Sequence, residues 1–213
     1  MPAVQGDANL LSGHTDLMEL FTNWHTWPQA EPELRGLLPA PAADAVAKAV
    51  QFAVRYHGDQ TRPTGAPYAE HLLEALEVLV RGAGVTDPGI LQAAVLHDVV
   101  EDTPCSIDDV RRAFGARVAE MVAWVTKPEP AAGIDRKTAK EAYLSRLQDA
   151  PDDAVLVKLA DRVSNVQTLR NLRLPKQRQY YAETVRYIMP LAAQRQWWAQ
   201  WYASWQQAHR DLA

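Results

Sequence analysis

The chain has 213 residues, of which 47% are hydrophobic and 23% are charged, so it can bury the core of one ordinary domain. Its formal net charge of −4 argues against non-specific binding to nucleic acid or to an anionic membrane, because both favour a basic surface. The single cysteine, Cys105, excludes an intramolecular disulfide and indicates a reducing compartment, with a buried and inert thiol. The sequence contains neither a signal peptide nor a membrane span, so we expect a cytoplasmic protein.

Residues 1–42 differ in composition from the rest of the chain. They contain five prolines: Pro2, Pro28, Pro32, Pro39 and Pro41. One short apolar stretch, around Leu17, Leu20 and Phe21, could form a helix there. We therefore predict an N-terminal arm over residues 1–42 and a single domain over residues 43–213.

From residue 44 onward the pattern predicts successive helices. Apolar residues recur at intervals of three and four between Ala45 and Tyr56, which is the spacing of one helix face. After a loop rich in helix breakers, a second helix is expected over residues 67–81. A third begins at Asp87, an N-cap followed by proline, and is expected to run without a break to residue 102.

Further helices fill the rest of the chain. Ser106 and Asp109 have the spacing of a capping box, which predicts a short helix ending at Gly115. Others are expected over residues 116–126, 135–147 and 154–169, with two more from residue 176 onward. The alternating pattern of a strand bounded by hairpin turns is missing, so the sequence predicts an all-α fold.

The segment AAVLHDVVEDT, residues 93–103, joins an apolar half to four ionisable residues. On a helix His97 lies one turn from Glu101, and Asp98 one turn from Asp102, so they form two adjacent polar rows. Burying several carboxylates without a partner is unfavourable, so a divalent cation is a suitable neighbour. The alternative is a solvated helix end, although acidic residues there oppose the helix dipole.

Two other segments strengthen the hypothesis of a metal site. Asp161 is embedded in the apolar sequence VLVKLADR, where it could instead form a surface pair with Lys158 or Arg162. His71 lies among apolar residues in PYAEHLLEAL, where a lone histidine is more often a core residue. Together with the His97 segment they provide two imidazoles and two carboxylates on three helices. Such a set suits Mn²⁺, Fe or Zn²⁺ better than Ca²⁺.

Four segments resemble the HD-domain hydrolases of the RelA/SpoT family: FAVRYHGDQTRPTGAPYAEH, GVTDPGILQAAVLHDVVEDT, FGARVAEMVAWVT and VKLADRVSNVQTL. They cover residues 45–172 and most closely resemble the stand-alone small alarmone hydrolases. These enzymes remove the 3′-pyrophosphate of (p)ppGpp. The resemblance implies a helical HD hydrolase domain over residues 43–213, with a C-terminal helical extension and without a synthetase domain.

The resemblance also implies one divalent metal ion, with Mn²⁺ expected, and a small nucleotide as the partner. The expected metal ligands are four side chains: His71, His97, Asp98 and Asp161. Two carboxylates would position or activate the attacking water: Glu101 and Asp102. Three side chains would contact the nucleotide, the last by a looser alignment: Arg62, Asn165 and Lys137.

Three residues depart from the family pattern. Pro63 follows Arg62 where a lysine is usual, Leu72 replaces a proline, and Ser164 replaces a histidine or aromatic residue. None is an expected metal ligand, but the departures leave the substrate open between (p)ppGpp, (p)ppApp, NADPH and other nucleotides. A binding protein with a vestigial site is the alternative from another class.

The C-terminal region is rich in tryptophan. Trp197, Trp201 and Trp205 recur every four residues and so share one face of a predicted helix. We expect this face to pack onto the domain itself, because large aromatic residues usually lie in a core. The alternative is the interface of a homodimer, where tryptophan is also enriched.

Overall fold

A computed structural model describes residues 18–62 and 64–213 of the chain, so Leu17 and the rest of residues 1–17 lie outside it. Over the described residues the secondary structure is helical, and pairing of the β type is limited to one isolated bridge between Thr61 and Pro67. The predicted all-α fold is therefore confirmed. The helices, numbered in chain order, are α1 (Trp27–Leu37), α2 (Ala40–His57), α3 (Tyr68–Glu77), α4 (Pro88–Leu96), α5 (Val99–Asp102), α6 (Ile107–Phe114), α7 (Ala116–Val125), α8 (Arg136–Arg146), α9 (Asp152–Val166), α10 (Leu174–Glu183), α11 (Met189–Ala192) and α12 (Gln196–Ala208).

The helix ends follow the chemistry of their capping residues. Asp87 caps α4 by accepting hydrogen bonds from the backbone amides of Gly89 and Ile90, at 2.8 and 3.1 Å. The capping box of Ser106 and Asp109 is present at the start of α6. Gly115 ends α6 with a φ of 88°, a conformation that favours glycine. These signals were local, and the sequence predicted them.

Helix α4 forms the centre of the domain. It packs against α2, α3, α7 and α9, and most of its residues are fully buried. Because α4 has no polar face, it is enclosed on all sides, as expected of a helix that is apolar all round. Its C-terminal end therefore presents the residues that follow it, His97 and Asp98, to the interior of the domain.

The helix predicted to run from residue 88 to residue 102 is divided in two. Helix α4 ends at Leu96, and α5 is a single turn from Val99 to Asp102. The imidazole Nδ1 of His97 lies 2.6 Å from the carbonyl oxygen of Ala94, so this side chain occupies an acceptor at the helix end. The backbones of His97 and Asp98 both stay in the right-handed helical region, and the Asp102 amide donates to the Asp98 carbonyl at 2.9 Å, so Asp98 and Asp102 remain one turn apart.

Residues 18–26, which we call the N-terminal segment, are irregular but well packed. Phe21 and Trp24 are each 1% exposed. The Gln167 side chain binds both the amide and the carbonyl of Phe21, at 2.7 and 2.9 Å. The buried Glu77 carboxylate accepts hydrogen bonds from the amides of Asn23 and Trp24.

The structure corrects the expected arm over residues 1–42 as far as its residues are described. The short helix lies at α1 and not around Leu20 and Phe21, and α2 begins at Ala40, before the predicted boundary. The N-terminal segment and α1 contribute buried residues to the same core as the rest of the domain. The N-terminal segment is also held through the backbone groups of Phe21, Asn23 and Trp24, and such contacts leave no periodic signal in the sequence.

Helix α12 packs its aromatic residues onto the domain, as expected. The indole of Trp201 donates to the carbonyl of Glu19, and that of Trp205 to the carbonyl of Val166, at 2.9 and 3.0 Å. Trp197 is only partly buried and packs edge-on against Phe21. The aromatic face is thus occupied within one chain, and a homodimer stays a prediction.

Two expectations from composition can be compared with the structure. Cys105 is buried, and burial raises the pKa of its thiol, as expected of an inert side chain. Among the residues that the structure describes, no helix has both the length and the apolar character to cross a bilayer.

Candidate metal centre and substrate cavity

Four side chains from α3, the α4–α5 junction and α9 meet at one point. The Nε2 atoms of His71 and His97 are 3.1 Å apart. Asp98 Oδ2 lies 3.4 Å from the first nitrogen and 3.1 Å from the second. Asp161 Oδ1 lies 3.4 and 3.5 Å from the same two atoms. The predicted ligands are therefore brought together, although they are up to 90 residues apart in sequence.

The hydrogen bonds of the two imidazoles show which nitrogen is free. His97 Nδ1 faces the carbonyl oxygen of Ala94, which can only accept, so this nitrogen carries the proton. His71 Nδ1 lies 2.7 Å from Ser164 Oγ, whose own proton is directed to the Glu74 carboxylate. His71 Nδ1 is therefore also the protonated nitrogen. When the rings are neutral, as a metal ion requires, both Nε2 atoms therefore turn a lone pair toward the carboxylates.

This donor set fits a divalent cation. The two imidazole nitrogens are 3.1 Å apart, each carboxylate oxygen lies 3.1–3.5 Å from both of them, and His71, His97 and Asp98 form the tightest group. Ligands at about 2.0–2.2 Å from a shared ion have separations of this size. Burial opposes protonation of His97, but Asp98 and Asp161 outweigh burial and raise its pKa well above the usual range. The centre thus attracts positive charge, and its mixed nitrogen and oxygen ligands suit Mn²⁺, Fe or Zn²⁺.

Two neighbours hold Asp161 in position. Lys158 Nζ lies 2.7 Å from Oδ2 of this carboxylate, and Asn165 Nδ2 lies 2.5 Å from Oδ1. Burial acts to raise the pKa of Asp161, but Lys158 and the imidazoles hold it well below the usual range. The ion pair that the sequence suggested as a surface alternative does form, but it is buried and belongs to the site. Asn165 orients a metal ligand as well as facing the cavity.

Glu101 and Asp102 lie beside the centre on α5, each with one clear partner. Glu101 accepts hydrogen bonds from the backbone amide of Lys127, at 2.9 Å, and from its Nζ. The hydroxyl of Tyr68 lies 2.7 Å from Asp102 Oδ2 and 2.5 Å from Asp98 Oδ2. Burial, followed by Asp98, raises the pKa of Tyr68, so the hydroxyl remains a donor between the two carboxylates.

Arg62 is linked to the metal centre through buried polar groups. Its Nη1 atom lies 3.0 Å from both oxygens of Glu74, which also accepts the Ser164 hydroxyl. Since Ser164 accepts from His71, a continuous chain runs from the arginine to a metal ligand. The small side chain of Ser164 makes room for Glu74, so a departure from the family pattern has a structural counterpart here.

A cavity of about 280 Å³ opens over the centre. The predicted residues that line it are Arg62, His71, Asp98, Glu101, Asp102, Asp161 and Asn165. His97 lies behind them and is 1% exposed. Lys137 does not line this cavity and belongs to a neighbouring pocket on α8. Lys140, one turn further along α8, lines both cavities.

Sequence reasoning missed most of the cations in this cavity. Besides Arg62 they are Lys127, Lys140, Lys158 and Arg162. Arg162 is 4% exposed, and its Nε and Nη1 atoms have no hydrogen-bond partner among the described residues. Its guanidinium lies 5.2 Å from the ring centre of Tyr180. Glu183 Oε2 lies 3.6 Å from Nη1, an ion pair that is longer than a hydrogen bond and leaves the donors of the guanidinium able to bind an anion at the cavity wall. Lys158 and Arg162 flank Asp161 in sequence, and that spacing was the available signal.

A larger cavity of about 670 Å³ adjoins the first. Arg62, Asn165 and Tyr180 line both cavities and form the junction between them. The combined space is of the size that proteins use for small-molecule ligands. The smaller part is rich in charged groups beside the metal centre, and the larger part extends away from it.

Comparisons with known proteins place this site in a family. The sequence profile described as HD domain matches residues 49–198. The human guanosine-3′,5′-bis(diphosphate) 3′-pyrophosphohydrolase MESH1 is 39% identical over 57% of this chain and 68% of that protein. The bifunctional (p)ppGpp synthase/hydrolase SpoT of Escherichia coli is 36% identical over 73% of this chain and 22% of that protein. A probable GTP diphosphokinase of rice, RSH2, is 35% identical over 78% of this chain and 25% of that protein.

A solved structure gives the same result for the fold. It is described as a metazoan ortholog of SpoT that hydrolyses ppGpp, and it superimposes with a TM-score of 0.68 at 27% identity. The match covers 79% of this chain and 97% of the other. The chain spans about a quarter of the length of the rice and bacterial relatives. The chain belongs to the HD-domain family, and within it to the RelA/SpoT homologues.

Proposed function

We propose that this protein hydrolyses the 3′-pyrophosphate of (p)ppGpp, releasing GDP or GTP and pyrophosphate. The observation that carries the proposal is the convergence of His71, His97, Asp98 and Asp161 beneath a cationic cavity that opens into a nucleoside-sized space. The human relative named above is a ppGpp 3′-pyrophosphohydrolase that resembles this chain over 68% of its own length. We propose no synthetase activity, and we place the reaction in the cytoplasm.

The proposed cofactor is one Mn²⁺ ion held by the four converging side chains. A bound divalent ion lowers the pKa of a water ligand and neutralises charge that develops on a phosphoryl group. The chain's own contribution is to supply neutral imidazoles and anionic carboxylates in fixed orientations. Ala94 and Ser164 fix the two rings, and Lys158 and Asn165 fix Asp161.

Glu101 and Asp102 are the proposed acceptors of the proton of the attacking water. Both face the cavity directly beside the ligands, which is the position required of a general base. Lys127 holds Glu101 with two donors, and Tyr68 holds Asp102, so neither carboxylate is free to turn away. The two roles are proposed for the pair, with Glu101 as the main proton acceptor.

The cations of the smaller cavity are proposed to hold the pyrophosphate. Arg162 has buried donors without a hydrogen-bond partner among the described residues, and Lys140 faces the same space; both form ion pairs with Glu183, at 3.6 and 2.7 Å. A pyrophosphate ester is densely anionic, and fixed cations favour it because they lose little hydration when it binds. Asn165 and Arg62 stand at the junction, where the ribose would lie.

The test is hydrolysis of ppGpp by the purified protein with Mn²⁺, followed by anion-exchange chromatography, with and without EDTA. We expect release of GDP and pyrophosphate that EDTA abolishes. His97→Ala and Asp161→Ala should lose both Mn²⁺ binding and turnover, whereas the exposed Ser145→Ala should retain both. Parallel reactions with ppApp and NADPH identify another nucleotide as the substrate if ppGpp is not hydrolysed. Absence of turnover on all three by metal-loaded protein would refute the proposal.

A further inference from the structure

We propose that the N-terminal segment and Glu70 form the nucleobase site, and that the Glu70 carboxylate selects guanine over adenine. This assignment rests on the proposed function and deepens it by naming the base. The N-terminal segment lies outside the family match, which begins at residue 49, whereas Glu70 lies within it.

The N-terminal segment forms part of the wall of the larger cavity. Thr22 and His25 both line that cavity. The backbone on either side of Thr22 is fastened to the domain, because Gln167 binds Phe21 and Glu77 binds Asn23. A wall fixed by buried hydrogen bonds can discriminate between ligands, because it does not yield to a poorly fitting one.

His25 links the segment to Glu70 on α3. Its Nδ1 atom lies 2.6 Å from Glu70 Oε1. The side chain of His25 is 53% exposed and that of Glu70 is 17% exposed, so the carboxylate is the more enclosed of the two. Both side chains line the cavity. The histidine therefore orients Glu70 at the cavity wall; it uses one lone pair of Oε1, so the second lone pair of Oε1 and the Oε2 atom remain as acceptors for a ligand.

The charges of the larger cavity are divided between its walls. Helix α3 contributes Glu70 and Glu74, whereas the start of α10 and the residue before it contribute Lys176 and Arg173. If the 3′-pyrophosphate lies at the metal centre and the ribose at the junction, the 5′-phosphates and the base diverge into this cavity. The anionic 5′-phosphates are attracted to the lysine and arginine and repelled by α3. The base is thereby directed toward Glu70.

The hydrogen-bonding edge of the base then decides the preference. A carboxylate can only accept, and it offers two oxygens side by side. Guanine presents two adjacent donors, N1–H and N2–H, that match both oxygens. Adenine presents one amino donor next to N1. The N1 lone pair would face a carboxylate oxygen, and the two acceptors would repel each other. A site that hydrogen-bonds one base rejects another that leaves its groups unpaired.

The test compares kcat/KM for ppGpp and ppApp in wild type and in Glu70→Gln, which keeps the shape but replaces one acceptor with a donor. We expect wild type to prefer ppGpp, and the variant to lower that preference by about tenfold or more. The change should appear in the KM for ppGpp and not in kcat. Leu20→Ala is the matched control, since Leu20 lies in the same segment, is 47% exposed and does not line the cavity.

Two further variants separate base recognition from phosphate binding. His25→Ala should lower the ppGpp preference in the same direction as Glu70→Gln but by less, because the carboxylate is freed and not removed. Lys176→Ala should raise KM for both substrates alike and leave their ratio unchanged. A Lys176→Ala variant that changed the ratio would contradict the assigned positions of base and 5′-phosphates.

The outcomes distinguish this inference from the proposed function. If wild type hydrolyses both substrates without preference, or if Glu70→Gln keeps the wild-type ratio, the base assignment is wrong while the function stands. If neither substrate is hydrolysed, the function fails, and calorimetric titration of GDP and ADP in EDTA tests the site directly. A GDP preference that Glu70→Gln removes would support the inference, and equal binding of the two would overturn it.

Discussion

His71 and Ser164 are joined by a hydrogen bond of 2.7 Å between the imidazole Nδ1 and the serine Oγ, on the side of the ring remote from the metal centre. The same serine donates to Glu74, so one hydroxyl serves two buried groups. A metal-binding histidine depends on such a partner for its tautomer and its orientation. At this position the chain replaces a bulky family residue with a small one and restores the contact through a serine.

Ser164→Ala should therefore weaken the metal centre. The imidazole loses its acceptor and Glu74 loses a donor, and both groups remain buried. We expect the affinity for Mn²⁺ to fall by about 10- to 100-fold, as measured by calorimetric titration. Ser145→Ala, an exposed serine on α8, is the control and should bind as wild type does. Unchanged affinity in Ser164→Ala would show that the serine does not orient His71.

Glu101→Gln should separate metal binding from turnover. Gln has nearly the same shape, but it cannot take up a proton from water at neutral pH. We expect Mn²⁺ to bind as in wild type while kcat falls by about 10²- to 10⁴-fold. Calorimetry and single-turnover hydrolysis measure the two quantities. A wild-type rate would remove Glu101 from the mechanism and leave Asp102 as the candidate.

Gly82→Ala should destabilise the fold. An added Cβ at this position would collide with the ring of Trp197 and with Phe21, so α12 and the N-terminal segment would have to move. We expect the free energy of unfolding in urea to fall by about 1–3 kcal/mol. Gly36→Ala is the matched control: Gly36 lies within α1 and has open space around it, so alanine there should stabilise by about 0.5–1 kcal/mol.

Asp87 should make a pH-dependent contribution to stability. Burial acts to raise its pKa, but Arg117 and the backbone amides at the start of α4 lower it below the usual value. A carboxyl with a lowered pKa in the folded state stabilises above its unfolded pKa, and the effect is lost as pH falls through the folded pKa. Asp87→Ala should thus lose about 1 kcal/mol at neutral pH through the missing cap.

The measurement is urea unfolding of wild type and Asp87→Ala between neutral pH and about pH 3. The two curves should approach each other as the pH falls, because the unfolded state takes up the proton before the folded state does. Asp59→Ala, at an exposed position, serves as control and should follow wild type at every pH. A difference that stays constant down to the acidic end would mean that the charge of Asp87 is not responsible.

The metal centre could be predicted from the sequence because its signals are local. His97 and Asp98 follow an apolar helix directly, and His71 and Asp161 are polar residues within apolar surroundings, so each is conspicuous in its own segment. The division between α4 and α5 was not predicted from the sequence. Lys137 was predicted from a loose alignment, and in the structure it lines the neighbouring pocket, whereas Lys140 lines both.

The N-terminal segment shows the other limit of sequence reasoning. The prolines elsewhere in residues 1–42 indicated a loosely organised arm, yet Phe21 and Trp24 in this segment are among the most deeply buried side chains. The groups that fix it, Gln167 and Glu77, lie far along the chain and carry no mark of their role. A contact between a backbone group and a side chain far along the chain is specific in the folded structure, but a single sequence contains no pattern that predicts it.

Glu77 on α3 holds the N-terminal segment to the domain through hydrogen bonds. Its oxygens accept from Asn23 and Trp24 at one side and from Arg81 at the other, and the residue is 0% exposed. A relative without a comparable segment would lack most of these donors, and an unpaired buried carboxylate is strongly unfavourable. Such relatives should carry an apolar residue at this position. An acidic residue here and a segment like residues 18–26 should therefore be inherited together, and their joint presence would mark proteins that enclose the nucleotide in the same way.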